Sequence, residues 1–295
     1  MRAFVALIRR ELIEHRGAFL FAPAILLTVL TAGVLLSILT GRLRLPFEVT
    51  VPAALKFYEV GLLAMTQVWW FYLLAALIFY YADAFTADRR NNSMLFWKSM
   101  PVSDFTVLLS KLVAGLTVFP AISFLIAVAT GLVIYALSLV ASLTMPGWET
   151  PAIGAVVEGS VGIIGFAATW LVLALLWYAP FFAWVGFLST LFGRWALPLA
   201  GLIPAVAAAL ENALFFRRDN MGGGAIYQFL WERIQLGIDW PIWMRAAFGP
   251  GRVDAGVLRA DLLTHFDWVS LGGGLAVALV LVLLASEYRR RYIIV

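Results

Sequence analysis

The sequence contains no cysteine, which excludes a disulfide framework and thiol chemistry. Charge is also scarce: Asp, Glu, Lys and Arg make up 13% of the 295 residues, where a soluble domain carries about a quarter. The formal charge of +4 is small, and the basic residues cluster beside apolar runs, a pattern of membrane orientation rather than of nucleic-acid binding. Only two histidines occur, His15 and His265, at opposite ends of the expected topology, and no His/Asp/Glu group has metal-ligand spacing. There is no Gly-x-x-x-x-Gly-Lys-Ser/Thr phosphate loop, so the chain does not itself hold a nucleotide in that way. Gly159-Ser160-Val161-Gly162 places a serine between glycines, but at the start of an apolar run this is the composition of a helix-packing site.

What the sequence has in abundance is apolar length. It is 63% hydrophobic with mean hydropathy +0.94, and several charge-poor runs reach the roughly 20 residues that a bilayer-spanning helix needs. The expected fold is an all-α integral membrane protein with six spans, near 18–40, 60–83, 112–143, 160–184, 196–216 and 267–286. The third is read as one tilted helix bent at Pro120, with further kinks at Pro180, Pro198 and Pro204. No removable signal peptide is evident, because the first apolar run is too long for one.

Residues 1–16 form a separate interfacial segment ahead of a membrane domain over 17–295. At about 100° per residue, Phe4, Val5, Leu7, Ile8 and Leu12 share one arc, opposite Arg2, Arg9 and Arg16. Glu11 falls within the apolar arc. Either its carboxylate snorkels to water or it meets a cytoplasmic partner. Basic residues at 2–16, at 89–111, at Arg194 and at Arg289–Arg291 give both termini a cytoplasmic location. The connection at 217–266 is then external, and its segment 225–235, with Tyr227, Leu230, Trp231 and Ile234 at helical spacing, predicts short helices on the outer interface. Glu59, Asp83 and Glu211 lie near span ends, where a carboxylate anchors a helix more readily than it carries a proton. No acidic site falls at mid-membrane, as a proton- or sodium-coupled carrier would need, so movement must be driven from outside the chain.

The most distinctive stretch joins the second and third spans, within a cytoplasmic loop over 86–111. It reads Asp88-Arg89-Arg90-Asn91-Asn92-Ser93-Met94-Leu95-Phe96-Trp97-Lys98-Ser99-Met100-Pro101-Val102-Ser103-Asp104. Asn92 or Ser93 can cap a short helix over 94–100, Pro101 ends it, and Ser103 can cap the next. A patch of aromatic, apolar and basic side chains on a connecting loop fits two descriptions. One is a docking element for a second protein, since aromatics and arginine favour the centre of interfaces. The other is an interfacial helix with Arg89, Arg90 and Lys98 facing lipid phosphate.

This stretch, followed by Ser110-Lys111, resembles the first cytoplasmic loop of ABC-2-type permeases, the membrane subunits of bacterial ABC exporters. Leu7-Ile8-Arg9-Arg10-Glu11-Leu12 is similar to the family's N-terminal elbow helix. The resemblance implies a non-enzymatic half-transporter of the bacterial inner membrane. Two permease copies would pair as a homodimer and bind two copies of a separate ATPase that holds ATP and Mg, with no cofactor in this chain, and membrane lipid around the whole. By the same resemblance Ser93, Met94, Leu95, Phe96, Trp97, Lys98, Ser99 and Met100 form the coupling helix that seats in the ATPase, Pro101 closes it, Arg89 and Arg90 flank it, and Glu11 lies near the same partner. Two alternatives stay open: an autonomous secondary carrier, and an intramembrane lipid-modifying enzyme using outer-loop groups such as Asp254, Asp261 and His265.

Overall fold

The computed structural model describes residues 2–43, 52–90, 104–215, 224–235 and 240–292, and every regular element among them is helical. Helix α1, Arg2–Glu14, precedes a π turn, Gly17–Phe21, that runs into α2, Ala22–Leu39. Helix α3 spans Ala53–Arg90. Helix α4, Asp104–Val113, a second π turn, Ala114–Val118, and α5, Phe119–Thr144, form one continuous rod. Helix α6 covers Ile153–Phe192 and α7 Ala196–Phe215, and three short helices follow: α8, Ala225–Gln235; α9, Trp240–Phe248; and α10, Ala255–Thr264. Helix α11, Trp268–Tyr292, closes the bundle.

Among the described residues, five stretches are long and apolar enough to cross a membrane: Gly17–Leu39, Ala53–Ala84, Phe105–Thr144, Ile153–Leu214 and Trp268–Arg291. Two of the six expected spans, 160–184 and 196–216, fall in the fourth, which is 62 residues long. That stretch is not one straight rod. It breaks at Gly193–Trp195, where Gly193 adopts φ +58°, a left-handed conformation that glycine takes without a side-chain clash. Beyond the break the chain folds back on itself. The Trp184 indole donates to the Ala200 carbonyl at 3.3 Å, whereas sixteen residues of unbroken helix would hold the two about 24 Å apart.

Both π turns precede a proline at the second position of the following helix, Pro23 and Pro120. A proline ring crowds the carbonyl four residues earlier and donates no hydrogen bond, and a turn one residue wider relieves that crowding. The bend expected at Pro120 therefore appears as a π turn just before it. The first π turn also meets the start of α5: the Phe19 ring stacks on Phe119 with centroids 3.8 Å apart and planes 1° from parallel.

The core lies where α3 packs between α5 and α6, with Leu73, Leu77, Phe166 and Phe182 nearly or fully buried. The outer surface is equally apolar: Leu132 is 74% exposed, Val161 69% and Val269 86%. In water such a surface would aggregate, while against acyl chains it is the natural boundary of a spanning bundle. Lipid tails are as apolar as leucine, so close packing and interhelical polar contacts must hold the helices together.

The expected amphipathic helices in 217–266 are present as α8, α9 and α10. They do not simply rest on the bundle. Arg233 of α8 is 3% exposed; its guanidinium lies 4.1 Å from the centre of the Trp177 ring, and it also donates to the Ser270 carbonyl. The Trp177 indole returns a bond to the Arg233 carbonyl at 2.8 Å. Gly274 is what makes room, since a Cβ there would stand 2.8 Å from Arg233 Nη2. Glu211 near the end of α7 accepts from the Ala225 and Ile226 amides, each at 2.8 Å, and so caps the start of α8.

Candidate functional site

Two buried polar clusters sit at the two ends of the stretch of α3 that runs from Lys56 to Tyr81. They lie about 37 Å apart along its axis at 1.5 Å per residue. At the first end Glu59 and Lys56 are fully buried. Glu59 accepts from Arg252 Nε at 2.8 Å and from the Val253 amide at 2.9 Å. Arg252 continues to Glu158 at 2.7 Å and to the Ala155 carbonyl at 2.9 Å. Lys56 Nζ donates to the Ala247 and Gly251 carbonyls at 3.1 and 2.7 Å. Glu59 thus anchors the turn between α9 and α10 onto α3, α6 and their buried faces.

The second cluster adjoins the stretch that the sequence singles out. Arg89 and Arg90 end α3, while Ser93, Met94, Leu95, Phe96, Trp97, Lys98, Ser99, Met100 and Pro101 lie outside the described residues. The elements on either side of that stretch are described, and both are held by α1. Glu11 is 3% exposed. Its Oε1 lies 2.9 Å from Lys111 Nζ of α4, and its Oε2 accepts from the Tyr80 hydroxyl of α3 at 3.0 Å. The carboxylate is therefore satisfied within the chain and does not reach water. The single Tyr80 O–H is shared between Glu11 and the Lys111 carbonyl, 3.1 Å away, and Tyr81 donates to the Leu112 carbonyl at 2.9 Å, just before the second π turn. The Tyr72 hydroxyl donates to the Ala18 carbonyl in the first π turn. Gly115 leaves space for the bond from Tyr81 to the Leu112 carbonyl, because a Cβ there would fall 2.1 Å from the Tyr81 oxygen.

His15 completes the cluster. Its ring meets Tyr80 edge-on at 4.9 Å and Phe119 at 6.1 Å, and Nε2 lies 3.7 Å from Glu11 Oε2. Burial lowers its pKa and prevails over the opposing pull of Glu11, Glu14 and Asp83, with Lys111 acting in the same direction as burial. The unfolded chain then binds a proton at His15 more readily than the folded one. This contribution to stability is present above the ordinary imidazole value of about 6.5 and is lost as pH falls below it. Thermal unfolding in detergent should show a midpoint that drops between neutral and mildly acidic pH, and His15→Asn should flatten that slope. An unchanged slope in the variant would assign the acid sensitivity to other groups.

His265 lies apart from His15, beside Asp261 of α10, with Nδ1 3.0 Å from Asp261 Oδ1. Asp254 caps α10 by accepting from the Val257 amide at 2.9 Å. Among the described residues no three of His, Asp or Glu converge as metal ligands. Ser160 donates to the Val156 carbonyl at 2.6 Å and shares a 2.6 Å bond with Tyr58, a helix-packing arrangement. Sequence reasoning noticed the misplaced acid at Glu11 but could not supply its partners, which come from 69 and 100 residues away. Comparison with protein-family models, with curated proteins and with solved structures yields no match.

Proposed function

We propose that this chain is the membrane subunit of an ABC-2-type exporter of the bacterial inner membrane, with six crossings and both termini cytoplasmic. In this reading two copies pair, and two separate ATPase subunits, holding ATP and Mg, bind beneath them. The coupling helix, Ser93 to Met100 with Arg89 and Arg90 alongside, seats in the ATPase. The break at Gly193–Trp195 supports counting Ile153–Leu214 as two crossings rather than one.

The observation that carries the proposal is the clamp of Glu11 on Lys111 and Tyr80. A displacement of the segment between α3 and α4 would act on both of its anchors, and through one buried carboxylate it would reach α1 and the first span. Rigid rods tied at their ends by buried polar bonds transmit such a push with little slack. The carboxylates of the candidate spans also favour an external drive over an autonomous carrier. Glu59, Asp83, Glu158, Glu211 and Glu287 all lie near helix ends, away from the mid-membrane position at which a coupling ion would bind.

The test is association. Co-expressed with a candidate ATPase subunit, the chain should co-purify with it, and Phe96→Asp combined with Trp97→Asp should abolish the complex while leaving the permease folded. Retained association of the folded double variant would remove the docking role from this segment.

A further inference from the structure

Between α3, α6, α8 and α9 lies a cavity of about 660 Å³, within the range of roughly 300–1,000 Å³ typical of small-molecule sites. Its wall is almost wholly apolar and aromatic, and no charged side chain lines it among the described residues. Three polar groups in that wall set it apart. Gln67 Nε2, Trp170 Nε1 and Trp243 Nε1 are buried and donate to no acceptor among the described residues. Trp170 and Trp243 are 9% and 7% exposed.

Three other tryptophans of the bundle show the contrast. The indole of Trp69 donates to Thr130 Oγ1 at 3.0 Å, that of Trp177 to the Arg233 carbonyl at 2.8 Å and that of Trp184 to the Ala200 carbonyl at 3.3 Å. A buried donor left without an acceptor costs about 1–3 kcal/mol, so three around one space are a standing demand for acceptor oxygens. Nor are the two indoles free to turn away. Trp170 packs against Phe166 and Trp243 with centroids 5.8 and 5.1 Å apart, and Trp243 packs against Phe166 at 5.1 Å. Part of the lining is exposed, including Phe71, Trp231, Met244 and Phe248, so the cavity opens through an apolar rim on the bundle surface.

We infer that this cavity binds a neutral amphipathic lipid, an apolar chain bearing uncharged ester or carbonyl oxygens, with Trp170, Trp243 and Gln67 donating to those oxygens and the aromatic wall covering the chain. A charged headgroup would enter a space without a counter-charge, at a high desolvation cost; neutral oxygens match both the donors and the wall. The inference goes beyond the transport reading and needs no ATPase, so it is tested on the purified chain alone.

The probe is a monoacylglycerol with a diazirine in its acyl chain, photolysed with the protein in detergent micelles and mapped by peptide mass spectrometry. The control is a diazirine alkane of matching length, which has no acceptor. The monoacylglycerol should label the rim residues at lower concentration than the alkane. Trp170→Phe combined with Trp243→Phe keeps an aromatic ring at each position and removes both N–H groups. It should raise the half-saturating concentration of the monoacylglycerol about tenfold and leave that of the alkane unchanged. Ala64→Trp, which fills the cavity from α3, should suppress both labels. Equal labelling by the two probes, or no shift in the Phe variants, would overturn the inference. So would disulfide formation between copies carrying Phe248→Cys in this cysteine-free chain, because a second copy would then be the occupant.

Discussion

Glu11→Leu will lower the stability of the folded chain by about 3–5 kcal/mol, the range for removing one partner of a buried ion pair. The size follows from what is left behind. Lys111 Nζ, 3% exposed as a side chain, loses its carboxylate at 2.9 Å, and the Tyr80 hydroxyl keeps only the Lys111 carbonyl. Either single change already removes the contact between the two groups, so Glu11→Leu with Lys111→Leu should cost less than the sum of the two single changes. A coupling of about 1 kcal/mol or more in this cycle is expected for groups in direct contact. It is read from unfolding midpoints in detergent at neutral pH. Additive effects would mean that the two side chains do not sense each other, and the clamp would lose its mechanical meaning.

Arg252→Leu tests the opposite end of the bundle. Glu59 is fully buried there and would keep the Val253 amide as a donor but lose the guanidinium at 2.8 Å. Arg252 itself is 34% exposed as a side chain, so solvent already screens part of the interaction and the expected loss is smaller, about 2 kcal/mol. Arg252→Lys should recover little of it. A single ammonium cannot reach Glu59, Glu158 and the Ala155 carbonyl together, as the planar fork of arginine does. Limited proteolysis should follow the same order, with faster cleavage between α9 and α10 in the leucine variant. Equal cleavage in all three proteins would show that the arginine does not hold that turn.

Much of this architecture was legible because membrane helices are written locally. Apolar run length located α2, α3, α5, α6 and α11, and the arc of Phe4, Val5, Leu7, Ile8 and Leu12 marked α1. Glu11 stood out as an acid in that arc. Its partners were not legible, since Tyr80 and Lys111 reach it only through tertiary packing. The proline at 120 announced a distortion but not its kind, nor that Phe19 of another element stacks on Phe119 beside it. The helical spacing of Tyr227, Leu230, Trp231 and Ile234 gave α8, but the periodicity that marks an interfacial helix cannot reveal that Arg233 is held over Trp177. The cavity was invisible for the same reason: Gln67, Trp170 and Trp243 come from three separate elements.

The length of α3 has a consequence for amplitude. Its 38 residues extend about 57 Å, while a hydrocarbon layer of about 30 Å occupies only about 20 of them. If the helix pivots near the middle of that layer, close to Trp70, its tip at Arg90 stands about 30 Å from the fulcrum. A swing of about 10° then carries the tip roughly 5 Å, one helical pitch, the step by which one packed helix ratchets past another. A modest angular motion at the centre of this lever would thereby become a displacement of about one helical pitch at the Arg90 end.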